Sequence, residues 1–263
     1  MQRSILEKTR PIIGITGPSS FTSDCVSTIE NLFVANPVKL DHEVWGNVET
    51  WLKVCDAVIL AGGVDIHPKT YGDSIPVGKN MRSFDARRDD RESKIIDWCL
   101  SHDIPMLGIC RGHQLLGIKQ VGLSLLQDIC ADATIVHSTS RQESKMELDI
   151  FNPSHIVEIQ DGSEYPGPST LFVNSFHHQG LAFDKNKLKG LDAIGVANVD
   201  EKSRIIELMV CKDENWMSVQ WHPEWDWSAQ ESSADVLRYF RDHFLMAQTQ
   251  AKGHRSNSST KTG

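Results

Sequence analysis

The residue best suited to chemistry in this sequence is Cys110. An apolar run ends at Ile109, and glycines stand two positions before and after the cysteine, at Gly108 and Gly112. This spacing is typical of a strand that turns sharply into a helix, where the backbones approach too closely for a Cβ and the central side chain is held out above the sheet. A thiol at a helix start also gains from the helix dipole, which favours the nucleophilic thiolate. The pattern predicts a cysteine nucleophile; a buried structural cysteine is the alternative.

A second group of candidates follows the apolar run over residues 57–61, where the chain continues with Gly62 and Gly63. Reactive groups collect at the carboxyl ends of strands in open α/β sheets, so we expect this turn at the same edge as Cys110. Its backbone N–H groups, with the N–H of Arg111, would form an oxyanion hole, in which one donor lowers the barrier by about 2.7–4 kcal/mol. A plain tight turn is the alternative for the two glycines.

The third candidate is the His-Pro-Glu sequence from His222 to Glu224, after the strand-like run over 216–221. Pro223 is not tolerated inside a helix, so we predict extended chain here, in which residues two apart point to the same side. A carboxylate beside an imidazole fixes the tautomer and stabilises the imidazolium, which the partner base of a cysteine requires. A surface histidine in an aromatic-rich loop is the alternative.

The rest of the sequence predicts the elements that position these groups. Apolar runs and amphipathic stretches alternate in the first half, which is typical of a parallel sheet covered on both faces. We predict strands over residues 11–16, 57–61 and 106–110, and helices over 22–35, 48–54, 88–101 and 112–121. Later strand-like runs cover 146–151, 156–159, 171–174, 193–199, 205–210 and 216–221, before a helix over 232–246. The pattern predicts an α/β fold whose mostly parallel central sheet carries an antiparallel extension.

Length and composition narrow the class of protein. The 263 residues, 40% hydrophobic and 24% charged, suit one globular domain that we place at residues 1–247, with a polar tail over 248–263 expected to be disordered. A net charge of −8 argues against a nucleic-acid partner, and no apolar run approaches the roughly 20 residues of a membrane span. The start lacks the apolar core of a secretory signal and the six cysteines are scattered, so we expect a cytoplasmic protein.

Taken together, these segments resemble the class I glutamine amidotransferase superfamily, whose signature is a G-x-C-x-G-x-Q elbow followed farther along the chain by H-P-E. Within it the chain is similar to the stand-alone γ-glutamyl hydrolase branch, the relatives of γ-glutamyl-γ-aminobutyrate hydrolase. The matching pieces cover residues 11–15, 60–68, 71–72, 85–89 with Glu92, 108–114, 173–179 and 219–225, in the family's order. The resemblance implies a flavodoxin-like three-layer sandwich.

The resemblance also implies roles for individual positions. It implies a catalytic triad of Cys110 as nucleophile, His222 as base and Glu224 as orienting acid. It implies an oxyanion hole from the backbone of Gly62, Gly63 and Arg111. It implies contacts to the glutamyl end of a substrate from Gln114, Asn174, Ser175 and His177.

The activity that the resemblance implies is hydrolysis of a small γ-glutamyl amide through a covalent thioester, with glutamate and an amine as products and with no cofactor. A glutaminase that feeds ammonia to a separate synthetase partner is the first alternative, since its chemistry is the same. A catalytically idle sensor or scaffold that keeps the fold is the second. Neither nucleic acid nor membrane is expected as a partner.

Several further features are left open. The tandem histidines His177 and His178 have no third ligand at suitable spacing, so we predict no metal site. Charged residues at 88, 89 and 92 suit either a functional cluster or a salt-bridged helix start. The tryptophan cluster at residues 221, 225 and 227 suits either a pocket wall or a subunit contact, and a homodimer is among the oligomeric states that the sequence permits.

Overall fold

A mixed sheet organises the chain. The computed structural model describes residues 10–40, 48–74, 83–129, 154–200 and 203–250. Within these ranges the strands are β1 (Ile12–Thr16), β2 (Asn36–Lys39), β3 (Ala57–Leu60), β4 (Met106–Ile109), β5 (Leu125–Leu126), β6 (His155–Ile159), β7 (Thr170–Val173), β8 (Gly180–Ala182), β9 (Ala193–Asn198), β10 (Arg204–Cys211) and β11 (Trp216–Val219). The helices are α1 (Ser19–Thr28), α2 (Val48–Leu52), α3 (Ala86–Ser101), α4 (Arg111–Leu116), α5 (Pro223–Asp226) and α6 (Glu231–Phe240). A 3₁₀ turn covers Pro68–Tyr71, and π-helical turns, Ile29–Phe33, Gly117–Val121 and Arg241–Leu245, continue α1, α4 and α6.

The sheet has a parallel half and an antiparallel half. Its order is β2-β1-β3-β4-β11-β10-β9-β6-β7, and the first five strands run parallel to one another. From β11 onward the pairings are antiparallel, and β8 and β5 add to the edge beside β10. The predicted α/β fold, parallel strands with an antiparallel extension, is confirmed. Because β4 and β11 are parallel neighbours, their carboxyl ends lie side by side.

Side chains of the central strands alternate between two apolar layers, as the pleat of a strand requires. Ile59 belongs to the core that covers one face together with residues of α1 and α6, whereas Leu60 belongs to the core formed with α2, α3 and α4. Helices on both faces make the strands fully buried, which explains why their sequences are continuous apolar runs. None of the helices in the described ranges has both the length and the apolar character needed to cross a bilayer.

The predicted elements agree with the structure in type and differ at their ends. The first helix begins at Ser19, directly after Pro18, three residues earlier than predicted. Strand β2 escaped prediction because its sequence, Asn36 to Lys39, contains a proline and few apolar residues; at the sheet edge a strand tolerates both. The run predicted over 146–151 lies outside the described residues. Helical conformation continues over 246–250, past the predicted start of the tail at 248, and residues 251–263 are not described.

Backbone segments approach one another closely where α4 leaves β4. A Cβ added to Gly112 would lie 2.1 Å from the carbonyl oxygen of Leu60 and 2.7 Å from its Cβ. A Cβ added to Gly108 would lie 2.8 Å from the backbone carbonyl of Gly112. Both contacts are far inside van der Waals distance, and the obstructing atoms are backbone. The glycine spacing predicted for the elbow is therefore a steric requirement of this crossing.

We expect Gly112→Ala to destabilise the fold by about 3 kcal/mol, because the methyl group would overlap the backbone of β3. Gly122→Ala is the matched control. Gly122 has a φ of 70°, but a Cβ there meets nothing within 4 Å. Its substitution should cost only the left-handed backbone penalty of about 1–2 kcal/mol. Free energies of unfolding from urea titrations measure both, and equal losses for the two variants would contradict the steric explanation.

Candidate active site

Cys110 stands at the point where β4 ends and α4 begins. Its backbone has φ 51° and ψ −103°, outside the regions that a non-glycine residue ordinarily adopts. Two hydrogen bonds hold this conformation: the Cys110 N–H donates to the carbonyl of Val219 (2.8 Å), and the Gln114 N–H donates to the Cys110 carbonyl (3.1 Å). Backbone strain of this kind persists only where the surroundings over-determine it, and it clusters at active sites. The strand–turn–helix geometry predicted for this segment is confirmed.

His222 and Glu224 meet as predicted, although their backbone differs from the prediction. The extended chain predicted around Pro223 is wrong, because Pro223 is the first residue of the short helix α5 and His222 is its N-cap. Proline is favoured at this position, where its fixed φ suits the helix and its missing N–H has no helical partner. Within this turn the His222 Nδ1 lies 2.7 Å from Glu224 Oε1, and both side chains are fully buried.

Asn174 holds the backbone of His222 in place. Its Nδ2 donates to the His222 carbonyl (2.8 Å) and to Asp226 Oδ2 (2.9 Å), and its Oδ1 accepts from the His222 N–H (2.9 Å). The resemblance implied a substrate contact for Asn174, but both the nitrogen and the oxygen of its amide form hydrogen bonds within the protein. Trp225 stacks on the imidazole with centroids 3.8 Å apart and 5° between the planes. Ring position and ring plane are therefore both fixed.

The environment of His222 favours its protonated form. Burial alone would lower its pKa, but the negative charges of Glu224 and Cys110, and hydrogen bonds to them, outweigh burial and raise the pKa to about 10. Because Nδ1 is committed to Glu224, Nε2 is the ring nitrogen that remains for Cys110 or for a substrate atom. An imidazolium that pairs with a thiolate is the arrangement that activates a cysteine nucleophile.

Three other buried thiols have raised pKa values. Burial raises the pKa of Cys25 well above its ordinary value, and Glu224 raises it further. Burial also raises the pKa of Cys99 and of Cys211. These three thiols therefore stay protonated and inert near neutral pH, so reactivity toward an alkylating agent distinguishes them from Cys110.

A cavity of about 170 Å³ opens over Cys110. Its lining comprises Phe21, Gly63, Val64, Asp65, Ser83, Cys110, Arg111, Gln114, Phe176, His177, His178 and Gln179. This is small beside the roughly 300–1,000 Å³ of pockets that take drug-sized ligands. The cavity brings together five of the predicted site residues, namely Gly63, Cys110, Arg111, Gln114 and His177.

The remaining predicted residues lie close to these but outside the lining. Gly62 lies against His222, since a Cβ on it would lie 2.7 Å from His222 Cε1. Ser175 is buried, 5% exposed, and follows Asn174 in the chain. Gln114 lines the cavity and donates from Nε2 to the Gln179 carbonyl (3.1 Å) and to Gln220 Oε1 (3.1 Å). The cavity lining thus includes Cys110, Gly63 and Arg111, whereas His222, Glu224 and Gly62 lie outside it.

The two adjacent histidines have different partners. His178 Nε2 lies 3.0 Å from Asp65 Oδ2 and 3.1 Å from Oδ1, and this pair lines the cavity. His177 Nδ1 donates to the Gln179 carbonyl (2.9 Å), and its Nε2 lies 3.5 Å from Glu207 Oε1. His177 and His178 therefore do not converge on a common ligand.

Sequence analysis did not identify Asp65 or the aromatic side chains of Phe21 and Phe176 as site residues. Asp65 lies two residues after Gly63, close to the end of β3, and this position at the carboxyl edge is the signal that could have identified it. Phe21 and Phe176 flank His222, with ring centroids 5.9 Å and 6.3 Å from the imidazole. Of the tryptophan cluster, Trp225 contacts His222, whereas residues 221 and 227 pack in the core.

A buried ionic cluster connects α3 to the elbow. Arg111 pairs with Asp89 and with Glu92, and Arg88 Nε donates to Glu92 Oε1 (2.8 Å). From the sequence, the charged residues of α3 suited either a functional cluster or a salt-bridged helix start. In the structure they form ion pairs at the start of α3. The partner that sequence analysis missed is Arg111, whose side chain is 1% exposed. Because the pairing is 19 and 22 residues apart in sequence, no local pattern reveals it.

The electrostatic role of Glu224 can be tested through the reactivity of Cys110. Glu224→Gln keeps the side-chain shape and removes the charge, so the pKa of His222 should fall from about 10 toward its ordinary value. The imidazolium exists only below that pKa, so the variant should lose it near pH 8, and the thiolate loses its counter-charge. We expect alkylation of Cys110 by iodoacetamide at about pH 8 to slow by at least about tenfold, the factor that one pKa unit represents.

The control for this measurement is Glu231→Gln, which breaks an exposed ion pair with Arg238 on α6. Its alkylation profile against pH should match the wild-type profile. If Glu224→Gln also gives the wild-type profile, Glu224 does not set the charge of His222. Peptide mapping confirms that Cys110 carries the label.

Comparison with known proteins agrees with this geometry. Residues 7–224 match the family model described as Peptidase C26. The chain is 31% identical over 196 residues to the glutamine amidotransferase-like protein YvdE of Lactococcus lactis, which covers 74% of this chain and 76% of that protein. It is 28% identical over 197 residues to the γ-glutamyl-γ-aminobutyrate hydrolase PuuD of Escherichia coli, covering 72% and 73%. Among solved structures, the glutaminase domain of Trypanosoma brucei CTPS with bound acivicin superposes with a TM-score of 0.54 at 16% identity, covering 92% and 94%. The matched region contains the elbow, the glycine turn and the His222–Glu224 pair, and the chain belongs to the Peptidase C26 family.

Proposed function

We propose that this protein is a cysteine hydrolase that cleaves the amide bond of a small γ-glutamyl compound and releases glutamate and an amine. The observation that carries the proposal is the arrangement of Cys110, His222 and Glu224 at the adjoining ends of β4 and β11. Cys110 lines the cavity. The His222 Nδ1 lies 2.7 Å from Glu224 Oε1. Membership of the Peptidase C26 family supports hydrolysis in general, and the relative PuuD supports the γ-glutamyl substrate.

In the first half of the proposed reaction, the Cys110 thiolate attacks the γ-carbonyl carbon of the substrate. The carbonyl oxygen becomes an oxyanion, which accepts hydrogen bonds from backbone N–H groups of the Gly62–Gly63 turn and of Arg111. His222 then donates its Nε2 proton to the leaving nitrogen as the C–N bond breaks. The products of this half are the free amine and a γ-glutamyl thioester on Cys110.

In the second half, water takes the place of the amine. His222 is now neutral, and its Nε2 accepts a proton from the water. The resulting hydroxide attacks the thioester carbonyl. The same backbone donors stabilise the second oxyanion. When the C–S bond breaks, glutamate leaves, Cys110 returns as a thiolate and His222 is again protonated, so Glu224 faces an imidazolium at both ends of the cycle.

The cavity suits an amino-acid head group. A γ-glutamyl compound carries an α-ammonium and an α-carboxylate, and the lining offers the carboxylate of Asp65 with its partner His178. Gln114 donates from Nε2 to the Gln179 carbonyl and to Gln220 Oε1. Its Oε1 can therefore accept a hydrogen bond from an ammonium group. We therefore assign Asp65 and Gln114 to the glutamyl end, and His177 to the wall beside it. Asn174 acts on the substrate only through His222.

The decisive experiment measures glutamate release from glutamine, γ-glutamyl-γ-aminobutyrate, other γ-glutamyl amines and γ-glutamyl dipeptides. We expect at least one γ-glutamyl amine or peptide to react faster than glutamine. Cys110→Ala should abolish release, because Cys110 is the cysteine that lines the cavity among the described residues. Cys99→Ala is the matched control: it removes a buried thiol of α3 and should leave the rate unchanged.

Each other outcome identifies a different function. Release from glutamine alone would favour a glutaminase that supplies ammonia to a synthetase, and would contradict the γ-glutamyl amine hydrolase. No release from any substrate, together with slow alkylation of Cys110, would identify a catalytically idle protein that keeps the fold. Release that survives in Cys110→Ala would exclude the thioester.

A further inference from the structure

Beneath the cavity, two arginines share one carboxylate. Glu92 of α3 receives hydrogen bonds from Arg88 Nε (2.8 Å) and from the Thr16 hydroxyl (2.6 Å) on Oε1, and pairs with Arg111 through Oε2. Arg88, Glu92 and Arg111 are 7%, 1% and 1% exposed. Burial alone would raise the pKa of Glu92, but the charges of Arg111 and Arg88 hold it below its ordinary value, so the carboxylate is ionised.

Arg88 supports the glycine turn after β3. Its Nη2 donates to the Ala61 carbonyl at 2.7 Å. Its Nη1 is buried without a hydrogen-bond partner among the described residues, and a Cβ built on Gly63 would lie 2.1 Å from it. The guanidinium therefore packs directly against the backbone of Gly63, whose φ is 148°. This turn carries one half of the oxyanion hole under the proposed reaction.

Under the proposed reaction, the backbone N–H of Arg111 forms the other half of the oxyanion hole. Its N–H opens α4 next to Cys110, and helix starts leave such N–H groups without a helical partner. Its side chain runs to Glu92 and Asp89. Asp89 is itself fixed, since its Oδ2 accepts from the His67 N–H (2.8 Å) and from the Thr70 hydroxyl (2.9 Å). The backbone donor of Arg111 and the turn at Gly63 are therefore tied to the same turn of α3.

We propose that Arg88 and Glu92 are positioning residues, which fix the separation between the Gly62–Gly63 turn and the Arg111 N–H so that both halves of the oxyanion hole face one oxygen. This inference rests on the proposed function, because it assigns these residues to the oxyanion of that reaction. Donors stabilise an oxyanion well only when they are placed before the reaction at about 2.7–3.1 Å from its position. A turn of two glycines has little rigidity of its own, so the guanidinium supplies the constraint.

Stability alone does not account for this cluster. Buried ion pairs recover little more than the cost of removing the charges from water, and apolar residues of similar volume often replace them without loss of stability. Of the guanidinium donors of Arg88, Nε and Nη2 contact Glu92 and Ala61, and these two contacts join α3 to the turn. The cluster thus connects α3 to the catalytic edge of the sheet, where a displacement of the donors would affect the reaction.

The test compares two reactions of Cys110, of which only one forms an oxyanion. Hydrolysis of the best γ-glutamyl substrate passes through a tetrahedral oxyanion, whereas alkylation by iodoacetamide displaces iodide from a saturated carbon and needs only the thiolate. For Arg88→Met we expect kcat to fall by about 100-fold, as when one oxyanion donor is lost. The KM should change little, and the alkylation rate should equal that of the wild type.

Two further variants make the result independent of folding. Arg88→Lys keeps the charge but has a single terminal nitrogen, so it cannot reproduce both the Glu92 and the Ala61 contacts and should lose part of kcat. Glu92→Gln removes the shared charge and should show the same separation of kcat from alkylation. Lys94→Met is the matched control, since Lys94 forms an exposed ion pair with Asp90 on the same helix. It should match the wild type in both reactions.

Several results would overturn the inference. If every Arg88 and Glu92 variant that folds hydrolyses the substrate at the wild-type rate, the hole does not depend on this cluster, while the proposed function stands. If kcat and alkylation fall together, the cluster supports the thiolate or the fold, and the positioning role is wrong. If the wild type hydrolyses none of the substrates, the proposed function fails and the positioning role fails with it.

Discussion

The crossing of α4 over β3 and β4 is the constraint on which the site depends. Backbone of Gly112 and Leu60 meet so closely that no side chain fits between them. To turn from strand to helix in so little space, the chain passes through Cys110 with a positive φ. The thiol is thereby held at the carboxyl edge of the sheet, at the start of a helix and against the cavity. The position of the cysteine and the packing of the sheet are two consequences of the same steric fact.

Strand order brings His222 to the same edge of the sheet as the thiol. β4 and β11 pair in parallel, with Ile109 opposite Val219, so the residues that follow each strand emerge together. The Cys110 N–H extends this ladder by one bond to the Val219 carbonyl. The strands that precede the thiol and His222 are therefore one strand spacing, about 4.8 Å, apart in the sheet. Asn174 and Trp225 then fix the histidine, from its backbone and from its ring face.

Sequence analysis predicted what depends on local chemistry and missed what depends on distant contacts. The elbow and the alternating elements follow from short patterns, and the structure confirms them. The conformation at Pro223 was predicted wrongly, because proline is excluded from helix interiors and favoured at helix starts, and a tripeptide cannot distinguish the two positions. Asn174 was assigned to the substrate by position in a segment, although its hydrogen bonds show that it supports His222. The pairing of Arg111 with α3 carried no sequence signal, since arginine after an elbow cysteine is also compatible with an exposed side chain.

The charges of the site form two separate buried groups, and this separation has a physical consequence. Under the proposed reaction, one group, Glu224 with His222, pairs with the thiol and exchanges protons with the substrate. The other, the two arginines with their two carboxylates, is in position to hold backbone donors in place. In a low-dielectric interior each charge needs a partner, and paired charges reorient little when the charge of the reacting atoms changes. Because proton transfer and placement of the backbone donors depend on different ion pairs, a change of charge in the first pair does not displace the donors. In the proposed reaction, the oxyanion donors then keep their geometry while His222 changes its protonation state twice in each turnover.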